Sequence, residues 1–159
     1  MDLVDRRTIL ALQKQGRMTN VELARMNDLA PSSMLERVRR LEERGIINGY
    51  QAVVDPKALG FEVHAMVMIN LDLHRAEAID LFEERIRAIP EVTACYHVTG
   101  RYDYLIHVMA RNMEHLGELI KHTLGKVGGV EKQETFITLS TIKESNGDFL
   151  ETLPEDGTR

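Results

Sequence analysis

A chain of 159 residues with 43% hydrophobic and 28% charged residues has the composition of a globular protein that holds one ordinary domain or two small ones. No apolar run approaches the roughly 20 residues of a membrane helix, and the charged N-terminus is unlike a signal peptide, so neither a membrane nor export is expected. The single cysteine, Cys95, excludes an internal disulfide framework and fits a reducing cytoplasm.

The net charge of −5 hides an asymmetry between the two parts of the chain. Residues 1–50 carry nine basic against seven acidic residues, whereas residues 51–159 carry eleven against eighteen. Eight of the nine are arginine, whose planar fork donates two parallel hydrogen bonds to phosphates or base edges. This distribution predicts a DNA-binding module joined to an acidic sensing or assembly domain.

Two short helices are predicted before residue 28. The first starts at Asp2 or Asp5 and ends at Gly16. Thr19 or Asn20 caps the second, and Glu22 at the third position after Thr19 completes a capping box. The buried side of this second helix is predicted to hold Val21, Leu23 and Ala24, and Asn27-Asp28 then forms a turn.

A third helix is predicted from Pro31 to about Arg44, with Met34, Leu35, Val38 and Leu41 on its buried side. Its polar side is either a solvated face, with Glu36 and Arg40 as an ordinary ion pair, or a surface that reads DNA. The two preceding helices, at helix-turn-helix spacing, favour DNA reading. The candidate DNA-binding residues are Ser32, Ser33, Glu36, Arg37, Arg40 and Arg44, with Ser33, Glu36, Arg37 and Arg40 expected nearest the bases.

A β-hairpin is predicted directly after this helix. Gly45 supplies the C-cap, Ile46-Ile47 begin the first strand, and Asn48-Gly49 is the dipeptide typical of a two-residue hairpin turn. The return strand covers residues 50–54 and ends at Asp55-Pro56. We therefore expect a winged-type helix-turn-helix domain over residues 1–54 and a linker over residues 55–60.

The rest of the chain shows strand–helix–strand twice. Strands are predicted at residues 63–71, 92–98, 104–109 and 134–141, and helices at residues 75–89 and from Met113 to about Leu124. The economical α+β solution is a ferredoxin-like βαββαβ sheet over residues 61–142, with both helices on one face, followed by a tail over residues 143–159. The other face is predicted to carry Met66, Met68, Cys95, His97, Phe136 and Thr138, and its apolar character predicts that a second copy covers it.

The loop Thr99-Gly100-Arg101-Tyr102-Asp103 has two interpretations. It is a hairpin turn in which Gly100 adopts positive φ and Asp103 caps locally. Alternatively, backbone N–H groups near Gly100 hold a carboxylate and Asp103 holds an ammonium, which together select a free amino acid.

The whole pattern resembles the leucine-responsive regulator/asparagine-regulator (Lrp/AsnC, feast/famine) family of transcription regulators. The resemblance rests on Asp2, Val4, Asp5, Ile9 and Leu10, then Asn20-x-x-Leu23-Ala24, Leu29-x-Pro31-Ser32, Arg37-Val38-x-x-Leu41, Gly45-Ile46-Ile47-x-Gly49-Tyr50-x-Ala52 and Asp55-Pro56. Two positions depart from it: the family usually has Gly at Asp28 and Ser or Thr at Ala30, and loss of that N-cap costs about 1 kcal/mol.

The resemblance implies a C-terminal RAM-type domain that forms dimers through its sheets, and these dimers commonly assemble into octamers. It implies double-stranded DNA with a pseudo-palindromic operator as one partner and a free amino acid, bound between subunits, as the effector. Carried over by position, one wall of the effector site is His97, Thr99, Gly100, Tyr102 and Asp103, and the remaining candidates are Met113, Gln133, Phe136 and Thr138.

Two alternatives belong to other functional classes. A related group with the same layout decarboxylates a haem precursor, and His97 and His107 lie on neighbouring strands, but no catalytic motif is present. A metal-responsive repressor would use Cys95 and His97 with His64 or His107, although scattered residues of these types on strands are more often buried. We therefore expect a cytoplasmic DNA-binding regulator without catalytic residues, metal or cofactor other than its amino-acid effector.

Overall fold

The computed structural model describes residues 1–72 and 76–143, and these residues form two compact units, residues 1–53 and residues 54–142. Arg75, at the predicted start of a helix, and the predicted tail from residue 144 lie outside the described residues. Within the described part of the chain, no helix is long and apolar enough to cross a membrane.

The first unit consists of three helices, α1 (Leu3–Lys14), α2 (Asn20–Met26) and α3 (Pro31–Glu43). Asp2 is the N-cap of α1 and Thr19 the N-cap of α2, and each forms a capping box with the residue three positions later. Reciprocal side-chain contacts of this kind satisfy N–H groups that the first turn leaves without helical partners. Each of these N-caps is one of the two alternatives that the sequence predicts for that helix start.

The turn between α2 and α3 contains a backbone conformation that side chains rarely adopt. Asp28 has φ 53°, in the left-handed region that Asp and Asn tolerate because their side chains bond locally. Ala30 then serves as the N-cap of α3 in extended conformation, with no side-chain hydrogen bond. The entry to α3 is thus under-capped, as the sequence indicated.

The core of the first unit lies between the three helices. Thr8 is fully buried, and its hydroxyl donates to the Val4 carbonyl at 2.8 Å. Two predictions were wrong here: Leu35 is 55% exposed and Val21 is 52% exposed. Leu35 follows Met34 by about 100° around the helix axis, which carries it past the edge of the buried stripe. The core itself comprises Leu23, Ala24, Met34 and Val38, with Ile9 and Leu41 in a second cluster.

The predicted hairpin after α3 is not formed, since the structure has no strand in residues 46–54. Gly45, at φ 65°, turns the chain, and the N–H groups of Ile46 and Ile47 both return to the Leu41 carbonyl, at 2.9 and 3.1 Å. The hairpin turn typical of Asn-Gly needs positive φ at both residues, but only Gly49 has it. The cap of α3 thus takes the amides that would have started a strand.

The second unit is a four-stranded antiparallel sheet with helices, preceded by a short 3₁₀ turn at Lys57–Leu59. Its strands are β1 (Val63–Leu71), β2 (Val92–His97), β3 (Tyr104–Ala110) and β4 (Val130–Ile137), and its helices are α4 (Ala76–Arg87) and α5 (Met113–Glu118). The strand order is β2-β3-β1-β4. This is the predicted ferredoxin-like arrangement.

Both helical segments cover one face of the sheet. Alternate residues of β1 and β3 are buried against Phe82 and Ile86 of α4 and against Leu116 of α5. The helical path after α5 is irregular, with a π-turn at Leu119–Thr123 and a 3₁₀ turn at Leu124–Lys126. Leu119 and Leu124 of this segment still join the core. The layers therefore follow the apolar spacing even where the helix geometry changes.

Two predictions about the sheet were wrong. β4 begins four residues earlier than expected, because Gly128 and Gly129 (φ 95° and 73°) turn the chain and Val130 already pairs with Leu71. A bulge in β2 adds one residue opposite β3 between Val92 and Ala94. One extra residue reverses the faces of all later side chains, so the bulge moves Cys95 and His97 to the helix-covered face.

The opposite face of the sheet, which we call the open face, is not covered by any of the helices in residues 1–72 and 76–143. Cross-strand pairing places alternate residues of all four strands there. They include Met66, Met68, Leu105, Met109, Tyr96 and Phe136, of which Tyr96 and Phe136 are about half exposed, at 52% and 46%. Met66, Met68 and Phe136 are therefore on the predicted face.

Candidate functional site

The polar side of α3 presents most of its candidate residues to solvent. Ser32, Ser33, Glu36, Arg40 and Arg44 are all exposed. Among the described residues, no ion pair joins Glu36 to Arg40, and the salt bridge along the helix is instead Arg39–Glu43 at 2.8 Å. Arg40 and Arg44 form no salt bridge with a described residue and are exposed, so both are suited to phosphate contact.

Arg37 is the exception among the six candidates. Its guanidinium Nη1 donates to Asp2 at 2.6 Å and to Asp5 at 2.9 Å, and its side chain is only 25% exposed. These hydrogen bonds raise the pKa of Arg37, and together with the Asp5 backbone amide the guanidinium lowers the pKa of Asp2. The sequence placed Arg37 on the DNA face, whereas the structure pairs it with α1.

The three partners belong to one concave pocket in the first unit. Asp2, the N-cap of α1, and Asp5 line it on one side, and Arg37, Arg40, Leu41 and Arg44, the C-cap of α3, line it on the other. Arg40 and Arg44 occupy the same pocket without sharing the two carboxylates. The sequence analysis treated Asp2 and Asp5 only as alternative starts of α1, and no local signal indicated that both would pair with Arg37.

Asp103 is held against the sheet by hydrogen bonds to described residues of both neighbouring segments. Its Oδ2 accepts from the Leu71 N–H at 2.8 Å, its own N–H donates to the Ile69 carbonyl at 2.9 Å, and its carbonyl accepts from Val98 at 2.9 Å. Gly100 has φ 129° and open space where a side chain would begin. The positive φ of Gly100 and the bond from Val98 agree with the predicted turn, but Asp103 is not a local cap, because its carboxylate bonds β1 at Leu71.

Glu134 is a charged residue beside the loop that sequence reasoning missed. Its carboxylate meets Lys132 Nζ at 2.8 Å and Arg101 Nη2 at 3.9 Å. A hydrogen bond with the same carboxylate raises the pKa of Tyr102, while Lys132 first and Tyr102 second lower the pKa of Glu134. The sequence analysis started this strand at residue 134 and so did not place Lys132 and Glu134 together on β4.

The predicted effector residues do not meet in one chain. Gln133 pairs with Ile69, and Asp103 bonds to that same residue, so Gln133 lies at the loop end of the sheet. Phe136 pairs with Met66, five residues from Leu71, which is about 16 Å along a strand. Thr138 lies farther still, where its N–H donates to the His64 carbonyl.

The remaining two candidates lie apart from the loop wall as well. His97 is on the helix-covered face, where its ring stacks on Tyr104 with centroids 4.7 Å apart. Met113, 56% exposed, begins α5 just beyond the end of β3. A single chain thus groups Thr99, Gly100, Tyr102, Asp103 and Gln133 at one end and Met113, Phe136 and Thr138 toward the other.

The residues of the metal alternative are divided between the two faces of the sheet. The rings of His64 and His107 lie 5.6 Å apart on the open face, whereas Cys95 and His97 lie on the helix-covered face. In the described parts of the chain, no three His, Cys, Asp or Glu side chains are grouped as metal ligands would be. The bulge in β2 is what separates the two pairs.

Comparison with known proteins assigns both units. The family model for the Lrp/AsnC ligand binding domain matches residues 64–148, and the model for a winged helix-turn-helix DNA-binding domain matches residues 1–48. The chain belongs to the Lrp/AsnC family. The leucine-responsive regulatory proteins of Klebsiella pneumoniae and Escherichia coli K12 are each 34% identical to it over 146 residues, covering 92% of this chain and 89% of theirs.

Solved structures of bacterial regulators match nearly the whole chain. A transcriptional regulator of Neisseria meningitidis, solved as a complex with L-Met, has a TM-score of 0.88 at 29% identity, covering 98% of this chain and 97% of that one. AsnC of Escherichia coli has a TM-score of 0.84 at 28% identity, covering 91% and 96%. The protein is therefore a DNA-binding transcription regulator of the Lrp family with a ligand-binding domain, and these comparisons do not favour a decarboxylase or a metal-responsive repressor.

Proposed function

We propose that this regulator responds to a free amino acid, works as a homo-oligomer in the cytoplasm and binds pseudo-palindromic operators in double-stranded DNA. The observation that carries the proposal is the exposed polar face of α3, with Arg40 and Arg44 unpaired among the described residues, in a chain whose second unit is a ligand-binding domain. A dimer would present two copies of α3 to successive major grooves.

The DNA contacts divide by chemistry. Arg40 and Arg44 supply salt-sensitive phosphate contacts, and Ser32, Ser33 and Glu36, in the first half of α3, supply contacts to base edges. A carboxylate such as Glu36 suits the cytosine amino group, and serine hydroxyls donate or accept. Leu35, exposed on the same helix, adds an apolar contact suited to a thymine methyl group.

The amino-acid site is proposed to form only when two chains meet. One chain holds the loop residues and Gln133 at one end of the sheet, whereas Phe136 lies about 10 Å along the strand from Gln133 and Thr138 lies farther still. An interface between copies can bring the loop end of one chain to the Phe136 end of another. Such a site links ligand binding to assembly, because binding energy is gained only in the assembled state.

The effector is proposed to carry an apolar side chain. Phe136 and Met113, both exposed in the single chain, would contact that side chain. The polar groups of the amino acid would be held by Asp103, Glu134, Tyr102 and backbone N–H groups near Gly100. The relatives' names point the same way, since one group is leucine-responsive and one neighbour was solved with L-Met. Dimers, and octamers built from them, are the proposed working states.

The test combines operator selection with a ligand screen. Selection of bound duplexes from a random pool should return a pseudo-palindromic consensus, and a thermal-shift screen of the twenty amino acids should identify the effector by a raised melting temperature. The selected amino acid should then change DNA affinity or oligomer size. Recovery of no consensus, or a response to no amino acid, would contradict the respective half of the proposal.

A further inference from the structure

The four carboxylate oxygens of Asp2 and Asp5 are divided between two structural tasks. Asp2 Oδ1 accepts from the Asp5 N–H at 2.8 Å, and Asp5 Oδ2 accepts from the Asp2 N–H at 3.4 Å, which forms the capping box of α1. The other two oxygens, Asp2 Oδ2 and Asp5 Oδ1, both accept from Arg37 Nη1. The helix cap and the contact with α3 are therefore one assembly, which we call the α1–α3 clip.

The clip neutralises Arg37 in a surface that is otherwise basic. Asp5 is only 14% exposed and Arg37 25%, so their contact is shielded from water more than an ordinary surface pair. Arg40 and Arg44 line the same pocket, and no partner is recorded for either in the described part of the chain. Of the three arginines in the pocket, the clip thus pairs Arg37 and leaves Arg40 and Arg44 available for DNA.

We propose that Asp2 and Asp5 are positioning residues for DNA binding, which hold Arg37 away from the phosphates and fix the orientation of α3 on α1. This inference rests on the proposed DNA-binding function. Arg37 then acts through α1 rather than by touching DNA, and the phosphate contacts come from Arg40 and Arg44. The clip also limits non-selective affinity, because an unpaired Arg37 would be a third cation beside the phosphates.

The salt dependence of DNA binding separates a phosphate contact from a positioning role. The plot of log K against log salt has a negative slope, and each lost phosphate contact makes it shallower by about 0.9. For a fourfold rise in salt, the affinity then falls about 3.5-fold less. Arg40→Gln is expected to reduce the slope by about one contact. Arg37→Gln is expected to leave the slope at the wild-type value while it lowers affinity for the selected operator.

Substitution of Asp5, an acidic partner of Arg37, provides the complementary test of salt dependence in the full-length protein. Asp5→Asn should free Arg37 to reach the phosphates. The salt dependence should then become steeper by up to about one contact, and binding to random duplex should tighten more than binding to the operator. Asp28→Asn is the matched control, since it removes the same charge from the first unit outside the clip and Asn tolerates the positive φ at this position. The control should leave slope and selectivity unchanged.

The outcomes distinguish this inference from the proposed function. If Arg37→Gln lowers the slope as much as Arg40→Gln does, Arg37 contacts phosphate directly and the inference is overturned. The same conclusion follows if Asp5→Asn behaves like Asp28→Asn, a comparison that remains decisive should Arg37→Gln fail to fold. A wild-type protein that binds no duplex at any salt concentration would instead overturn the proposed function.

Discussion

Asp2 shows how one side chain can serve both a helix start and a tertiary contact. It caps α1 through the Asp5 amide and also accepts from Arg37 of α3. The pKa of Asp2 lies below its ordinary value of 3.8, mainly because the Asp5 amide bonds the charged form and secondly because Arg37 does. Because Asp2 both caps α1 and bonds Arg37, the position of α3 depends on ionised carboxylates.

The contribution of Asp2 to folding stability should decrease at acid pH. Since its folded pKa is lowered, its contribution to stability is complete above pH 3.8 and is lost as pH falls through the folded pKa. In an NMR titration, we expect the Asp2 carboxyl to have a midpoint below 3.8, and Arg37→Gln to raise that midpoint only in part, because the Asp5 amide remains. A wild-type midpoint at or above 3.8 would contradict this account.

Asp103 is expected to matter for the amino-acid response through its charge. Asp103→Asn keeps an oxygen that can accept from the Leu71 N–H but removes the negative charge beside the loop. We expect the mutant to keep its fold and DNA affinity and to lose most of the melting-temperature rise that the effector causes. Asp103→Ala is the harsher variant, because it leaves the Leu71 N–H unpaired and costs about 1–3 kcal/mol of stability.

An undiminished response of Asp103→Asn to the effector would remove Asp103 from the site. Glu134→Gln would then be the variant to compare, since Glu134 is a second carboxylate beside the loop and pairs with Lys132.

At the scale of elements, α3 begins without the cap that α1 and α2 possess. Ala30 has the extended backbone of an N-cap, φ −66° and ψ 141°, but no side chain that can accept a hydrogen bond. Ala30→Ser should therefore stabilise the first unit by about 1 kcal/mol, measured by urea denaturation or by slower exchange of the first amides of α3.

Ala88→Ser serves as the control for this substitution. Ala88 is exposed and begins no helix, so the same added hydroxyl should leave stability within about 0.5 kcal/mol of wild type. Equal effects of the two substitutions would show that capping is not the cause.

At the scale of the whole molecule, the open face of the sheet is where we expect copies of the chain to meet. Phe136→Asp places a charge on that face and should shift sedimentation toward the monomer and abolish the effector response. Leu81→Asp is the matched control, since Leu81 is 45% exposed on α4 and Phe136 46% on β4. If both variants stay assembled like wild type, the open face is not the interface.

Local chemistry made several parts of this protein predictable. The caps of α1 and α2, the turn at Asp28 and the strand Val63–Leu71 all follow from residues within a few positions of one another. The doubled strand–helix–strand pattern predicted the antiparallel sheet in the same way. The motifs distributed along the chain also led to the correct family.

Other predictions failed because a partner distant in sequence decided the outcome. β4 begins earlier than predicted because its start is fixed by pairing with Leu71 on β1. A bulge against β3 turned Cys95 and His97 to the other face. Nothing in the local sequence specifies such pairings.

The sequence by itself thus determined the order of elements, the charge asymmetry and the identity of the residues on the polar side of α3. The tertiary structure decided what those residues can do. It paired Arg37 with Asp2 and Asp5, which lie 35 and 32 positions away. It also divided the effector candidates between two ends of a sheet. Periodicity and capping are short-range effects, whereas ion pairs and strand register depend on which distant segments the fold brings together.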